Sequence, residues 1–173
     1  MIDLSHPSKK SNMQVMELSR TPDIASHSSA RALNDVSRNM DDEQLMALKE
    51  NGGVIQTVAF SGYVNAEKSR AYRAASDSIR KEIADEMGVR LVTTREEYFQ
   101  MSPEERETYF ERIAPVNEAL KARTDEITVP PVDVADFVDH IDYLVEKIGI
   151  DHVGISSDFD GGGGVYGWDD ASE

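Results

Sequence analysis

Two short apolar runs in this sequence each end on a histidine and pass at once into small polar residues. One is Ile2-Asp3-Leu4-Ser5-His6; the other is Pro22-Asp23-Ile24-Ala25-Ser26-His27, which continues as Ser28-Ser29-Ala30-Arg31. A strand that delivers an imidazole at its C-terminal tip, where a helix is about to begin, is the usual construction of a site on a parallel α/β sheet or barrel. The two histidines lie 21 residues apart, about what one strand, one helix and two short loops require. Adjacent parallel strands would present the two imidazoles side by side, which is a metal site in outline.

The rest of the pattern agrees with an α/β class. Met1 to His6 reads as a strand ended by Pro7 and Ser8, and Lys10 to Arg20 as a short amphipathic helix carrying Met13, Met16 and Leu18. Pro22 to His27 is the second strand. Ala30 to Val36 is expected as a short helix. Asp41 to Glu50 is a better one, acidic in its first turn and stopped by Gly52-Gly53, and Val54 to Phe60 is a third, β-branched strand.

Residues 65 to 128 break this rhythm. They are polar, lack strand runs and read as two helices, Ala66 to Met87 closed by Gly88, and a second that opens at Ser102-Pro103-Glu104-Glu105 and continues to about Lys121. This is a helical insertion outside the main sheet. The core pattern resumes with Val132, Val134, Phe137, Val138, Ile141, Leu144, Val145 and Ile148 at three-and-four spacing, a helix stopped by Gly149. Ile150 to Ser157 is the fourth strand, with Asp158 at its tip, and the last ten residues contain no closing element. Four such strands make half of a barrel.

Composition narrows the function classes. With 33 acidic against 18 basic residues, a net charge of −15 and no basic stripe, nucleic acid and anionic membrane surfaces are unsuited as partners. There is no cysteine, which excludes disulfides and thiolate metal sites. No apolar run approaches the roughly 18 residues of a membrane span, and no signal peptide is read, so the sequence assigns no compartment.

Two imidazoles need at least a carboxylate and water to complete a catalytic zinc site. Asp3 and Asp23 sit early in their strands and read as capping or salt-bridging residues. Asp158 lies at the same sheet edge as the histidines if the strands are parallel, where a carboxylate can move a proton to a leaving amine. Its alternative reading is a turn residue, since Asp158-Phe159-Asp160 runs into Gly161 to Gly164. Arg38 follows the His27 loop and could clamp a substrate carboxylate, or be a plain surface arginine. Tyr63, after the third strand, is a hydroxyl donor or packing. His140, expected on the polar face of its helix, and His152, at the far end of the fourth strand, read as structural.

Three ordered motifs, Ile2-Asp3-Leu4-Ser5-His6, Ser26-His27-Ser28-Ser29-Ala30 with Ser37-Arg38-Asn39, and Val153-Gly154-Ile155-Ser156-Ser157-Asp158-Phe159-Asp160-Gly161, together resemble the membrane dipeptidase (renal dipeptidase) family of metallopeptidases. The resemblance spans essentially the whole chain and is weakest over 65 to 128. It implies a (β/α)₈ TIM barrel, of which this chain would hold strands five to eight with the helical insertion, as one partial barrel domain over 1–173, truncated at both ends relative to the family. It implies hydrolysis of dipeptides by a metal-bound hydroxide at two zinc ions, with His6 and His27 as ligands of one zinc, Asp158 as the acid/base residue, Arg38 as the holder of the substrate carboxylate and Tyr63 in the substrate pocket. The family's His-x-Asp motif, bridging glutamate and carbonyl-assisting histidine have no counterpart here, so the isolated chain is expected to be nearly inactive. A homodimer is the candidate assembly. Two other readings stay open: a non-catalytic half-barrel that binds or assembles with another polypeptide, and a related amidohydrolase acting on another amide.

Overall fold

The computed structural model describes residues 1–172. They fall into two compact units: Met1–Ser69 together with the residues from Pro131 onward, and Arg70–Pro130.

The first unit is built on a three-stranded parallel sheet in the order β1-β2-β3, with β1 Ile24–Ser28, β2 Val54–Val58 and β3 Val153–Ser156. Helices α1 (Lys9–Leu18) and α2 (Asp42–Asn51) flank β1 in sequence, and α7 (Val134–Ile148) leads into β3. β2 pairs with β3 from Ile55↔Val153 to Val58↔Ser156, while the β1–β2 register shifts between Ala25 and Ser28. Parallel pairing puts the C-terminal ends of all three strands on one edge, which is where His27 and Asp158 arrive.

Burial explains why these segments fold. Leu4, Met16, Ala25, Met40, Leu45, Leu48, Ile55, Leu144 and Ile148 form one core cluster, and Ala59, Val64, Val132, Phe137 and Val165 a second. Each large side chain so buried contributes roughly 1.5–3 kcal/mol. Helix ends are specified locally. Asp41 accepts from the Gln44 N–H in a full capping box, Gly52 closes α2 in the left-handed conformation at φ 78°, and Asp133 caps α7 by accepting from Ala135 and Asp136.

Several expectations are corrected. Three strands form rather than four, because the Met1 to His6 segment contributes a single parallel bridge, Asp3↔Ile24, held by Leu4 N–H donating to Ile24 and Ile24 N–H donating to Ile2. Ala30 to Val36 forms turns and no helix: Arg31 N–H donates to Met40, and Met40 N–H to Ser29, so the backbone is committed to a bridge. The fourth strand is shorter than expected, since Ile150–His152 is a 3₁₀ turn. The short helix α3 (Ser61–Val64) follows β2. The segment from Gly164 also closes onto the unit: Gly164 N–H donates to Ala59, Tyr166 N–H to Val132, and Val165 is buried.

His140 is the sharpest correction. It is only 2% exposed, in the stripe Phe137, His140, Leu144, Ile148, whereas Val134 and Val138 of the expected core face are exposed. The apolar stripe of α7 is rotated by about one position from the expected one. His140 Nδ1 accepts from Ala30 N–H at 3.1 Å and its Nε2–H donates to the Val64 carbonyl at 2.9 Å, a pattern that fixes the neutral tautomer. Burial pushes its pKa below 6.5 despite the neighbouring Asp139 and Asp136 carboxylates.

The second unit is helical. α4 (Ala66–Glu86) runs into it, followed by α5 (Arg95–Gln100) and α6 (Pro103–Ala122). α5 was not expected; Thr94 caps it by accepting from Glu97 N–H. α6 begins with the capping box at Ser102 and Glu105. Its core is Ile83, Ala84, Ile113 and Val116, and Arg123 donates to Glu82 and Glu126. No helix among the described residues is long and apolar enough to cross a membrane.

Candidate metal and substrate site

The bridge Asp3↔Ile24 brings the two histidine-bearing segments alongside each other, so His6 and His27 emerge as neighbours at one edge. Their Nε2 atoms are 2.9 Å apart and their rings meet edge to face with centroids 4.8 Å apart. Two imidazole nitrogens bound to one tetrahedral zinc at roughly 2.0–2.1 Å sit about 3.3 Å from each other. The pair is therefore close to the spacing one ion imposes, and neutral imidazole is the right donor chemistry. Among the described residues, no group of three or more histidine, aspartate or glutamate side chains gathers as a metal site. Two imidazoles converge there, and Asp158 is not one of the same cluster.

Behind His27 stands a polar arrangement that the sequence reading missed. Among the described residues, Asp3 neither caps a helix nor forms an ion pair. Its Oδ1 accepts from the N–H groups of Ser5 (3.0 Å) and Ser26 (3.1 Å), and its Oδ2 from the Ser26 hydroxyl at 2.5 Å. Partial burial pushes the Asp3 carboxyl up, but hydrogen bonds from Ser26 and Ser5 outweigh it and bring the pKa from 3.8 to about 2. Ser26 Oγ lies 2.7 Å from His27 Nδ1. The signal was present as aspartate and serine three and one positions before the histidines, with a 23-residue offset that becomes contact only once the two segments align. Asp23 instead is buried, accepting from Ile2 N–H and the Ser19 hydroxyl.

Arg38 and Tyr63 are brought together. Arg38 Nε donates to the Ser5 carbonyl (3.2 Å), next to His6, and Nη1 donates to the Tyr63 hydroxyl at 3.0 Å. The guanidinium also lies 5.1 Å from the Tyr63 ring centroid, and Tyr63 stacks on Phe60. The remaining nitrogen, Nη2, is buried with no hydrogen-bond partner among the described residues. Asn34 and Asn39 Nδ2 each donate to the Tyr63 carbonyl at 2.8 Å, which ties the Arg38 loop to α3.

Asp158 stands at the tip of β3 with φ 53°, the one non-glycine residue at positive φ among those described. Its carbonyl accepts from Gly161 and Gly163 N–H groups, and the residue lines a cavity of about 550 Å³ with Ser157, Phe159, Asp160, Asp169 and Asp170. His152 is at the opposite end of the sheet, its ring Nδ1–H donating to the Gly53 carbonyl, as suits a structural residue.

Comparison with known proteins extends this geometry. The chain is 31% identical to Dipeptidase ataJ of Aspergillus terreus over 173 residues, which is 99% of this chain and 28% of that protein. Over a shorter stretch of 62 residues, 36% of this chain and 13% of the relative, it is 47% identical to Dipeptidase 3 of Macaca fascicularis. Among solved structures, the probable dipeptidase PvdM from Pseudomonas aeruginosa matches with a TM-score of 0.64 and 37% identity, covering 100% of this chain and 42% of that one. A metallo peptidase from Rhodobacter sphaeroides, 22% identical over 93% of this chain and 29% of that one, with a TM-score of 0.54, shares the fold. The chain thus spans between roughly a quarter and two fifths of the length of its full-length relatives. The family described as membrane dipeptidase, peptidase family M19, matches residues 1–173, and the chain belongs to that family.

Proposed function

We propose that the protein takes part in the hydrolysis of dipeptides to free amino acids, with His6 and His27 holding one zinc ion and the sheet forming part of a (β/α)₈ barrel. The observation that carries this reading is the approach of the two Nε2 atoms to 2.9 Å at the C-terminal strand edge. Zinc bound there supplies Lewis-acid polarisation of the scissile carbonyl and acidification of water.

The chain's own residues do the rest. Arg38, anchored through Nε and Nη1, turns its unpartnered Nη2 to the free carboxylate of the dipeptide. That contact fixes which peptide bond is presented, because a dipeptide has its carboxylate one residue from the scissile carbonyl. Tyr63 accepts from Arg38, which leaves its own hydroxyl proton to donate to substrate. Asp158 takes the proton lost by the attacking water and returns it to the leaving amine as the C–N bond breaks.

Zinc titration of the purified chain by calorimetry tests the ligand assignment: stoichiometric uptake is expected, and its loss in the His6→Ala, His27→Ala double variant. An isotherm unchanged in that variant overturns it. Zinc-loaded chain should also bind a dipeptide better than its C-terminal amide, and Arg38→Ala should abolish that preference.

A further inference from the structure

We infer that Asp3 and Ser26 are positioning residues that set the tautomer of His27, holding its Nε2 lone pair ready for a metal ion. The inference rests on reading His6 and His27 as ligands. It follows from counting protons along one hydrogen-bonded chain.

Asp3, as a carboxylate, accepts only. Its Oδ1 is taken by two backbone N–H groups, so Oδ2 is left for the Ser26 hydroxyl, 2.5 Å away. The single hydroxyl proton of Ser26 therefore points at Asp3, and Ser26 Oγ can only accept from its other neighbours. One of these is His27 Nδ1 at 2.7 Å, which must then carry a proton. A neutral imidazole protonated on Nδ1 has its lone pair on Nε2, the atom that faces His6.

Ser5 closes the set in the same sense. Its hydroxyl oxygen accepts from the His27 backbone N–H at 3.0 Å, and because the Ser26 proton is committed to Asp3, Ser5 is the donor in its 3.4 Å contact with Ser26 Oγ. Every donor in the group thus runs toward Asp3. The usual carboxylate–histidine–metal arrangement is here lengthened by one serine hydroxyl.

The isosteric Asp3→Asn variant separates positioning from plain packing. The two backbone N–H groups keep the amide oxygen where Oδ1 was, which places the amide NH₂ against Ser26 Oγ. Ser26 must then turn its proton to His27 Nδ1, and the imidazole switches to the Nε2–H form. Long-range ¹H–¹⁵N spectra of the metal-free chain report the His27 tautomer directly. The expected result is Nδ1–H in the wild type, Nε2–H in Asp3→Asn and retention of Nδ1–H in Ser26→Thr. Zinc affinity should fall about 10- to 100-fold in Asp3→Asn and stay near wild type in Ser26→Thr.

A wild-type His27 protonated on Nε2, or an Asp3→Asn chain that folds and keeps Nδ1–H, overturns the inference. Because the tautomer is read without metal, a wild-type chain that takes up no zinc refutes the ligand assignment separately.

Discussion

Replacing His140 by leucine is expected to destabilise the first unit while leaving its volume almost unchanged, which isolates the hydrogen bonds from the packing. His140 lies in the buried stripe of α7 and serves two backbone groups, accepting from Ala30 N–H and donating to the Val64 carbonyl. Leucine serves neither. Each orphaned buried group costs about 1–3 kcal/mol, so the loss should be about 2–6 kcal/mol, a large part of the ~5–15 kcal/mol that holds a typical domain. The His140 pKa is lowered by burial, so near pH 6 the unfolded chain binds more protons at this position than the folded one. Stability from this group is therefore complete above the unfolded value of 6.5 and is lost as pH falls toward the lower folded value. Urea unfolding of both proteins across this interval, with exchange of the Ala30 amide as the local readout, provides the assay. The leucine variant should show a weaker protein, faster Ala30 exchange and loss of the His140 contribution to the acid limb. Unchanged stability and an unchanged pH slope would refute the assignment.

Two further substitutions test features of the separate units. A Cβ on Gly163 would sit 1.9 Å from the Ser157 carbonyl oxygen and 2.8 Å from that of Asp158, both backbone, so Gly163→Ala should cost about 3 kcal/mol, the upper part of the overpacking range; a thermal melt superposing on wild type contradicts this. In the second unit, Ser102→Ala removes a full capping box and should cost about 1 kcal/mol, with faster exchange of the Glu105 amide and recovery in Ser102→Thr.

Legibility in the sequence followed the range over which each signal acts. The Ser102 capping box, the acidic first turn and glycine stop of α2, and the β-branched run of β2 depend on residues a few positions apart, and these elements form about where the pattern puts them. The strand expected at Met1 to His6 failed because a ladder depends on its partner: Ile24 gives it one bridge and no more. The helix expected over Ala30 to Val36 lost to side-chain competition, with Asn34 donating to Gly62 and Tyr63 and the backbone pairing to Met40. His140 was misplaced because its polarity suggested solvent, whereas two distant backbone groups make burial affordable.

At the candidate site, His6, His27 and Arg38 announced themselves by residue type and place. Tyr63 became more than packing only through the Arg38 contact. Asp3 and Ser26 could not be joined without knowing that their segments run side by side.

The left-handed backbone at Asp158 sets two demands on one position against each other. Residues with a Cβ resist this conformation, aspartate less than most, and glycine adopts it freely. Here it is held by two amides gripping the Asp158 carbonyl. A campaign that ranks variants by heat tolerance alone would thus favour glycine at 158 and discard the carboxylate with the strain. Any effort to harden this protein therefore has to screen for the proton transfer proposed for Asp158 as well as for endurance.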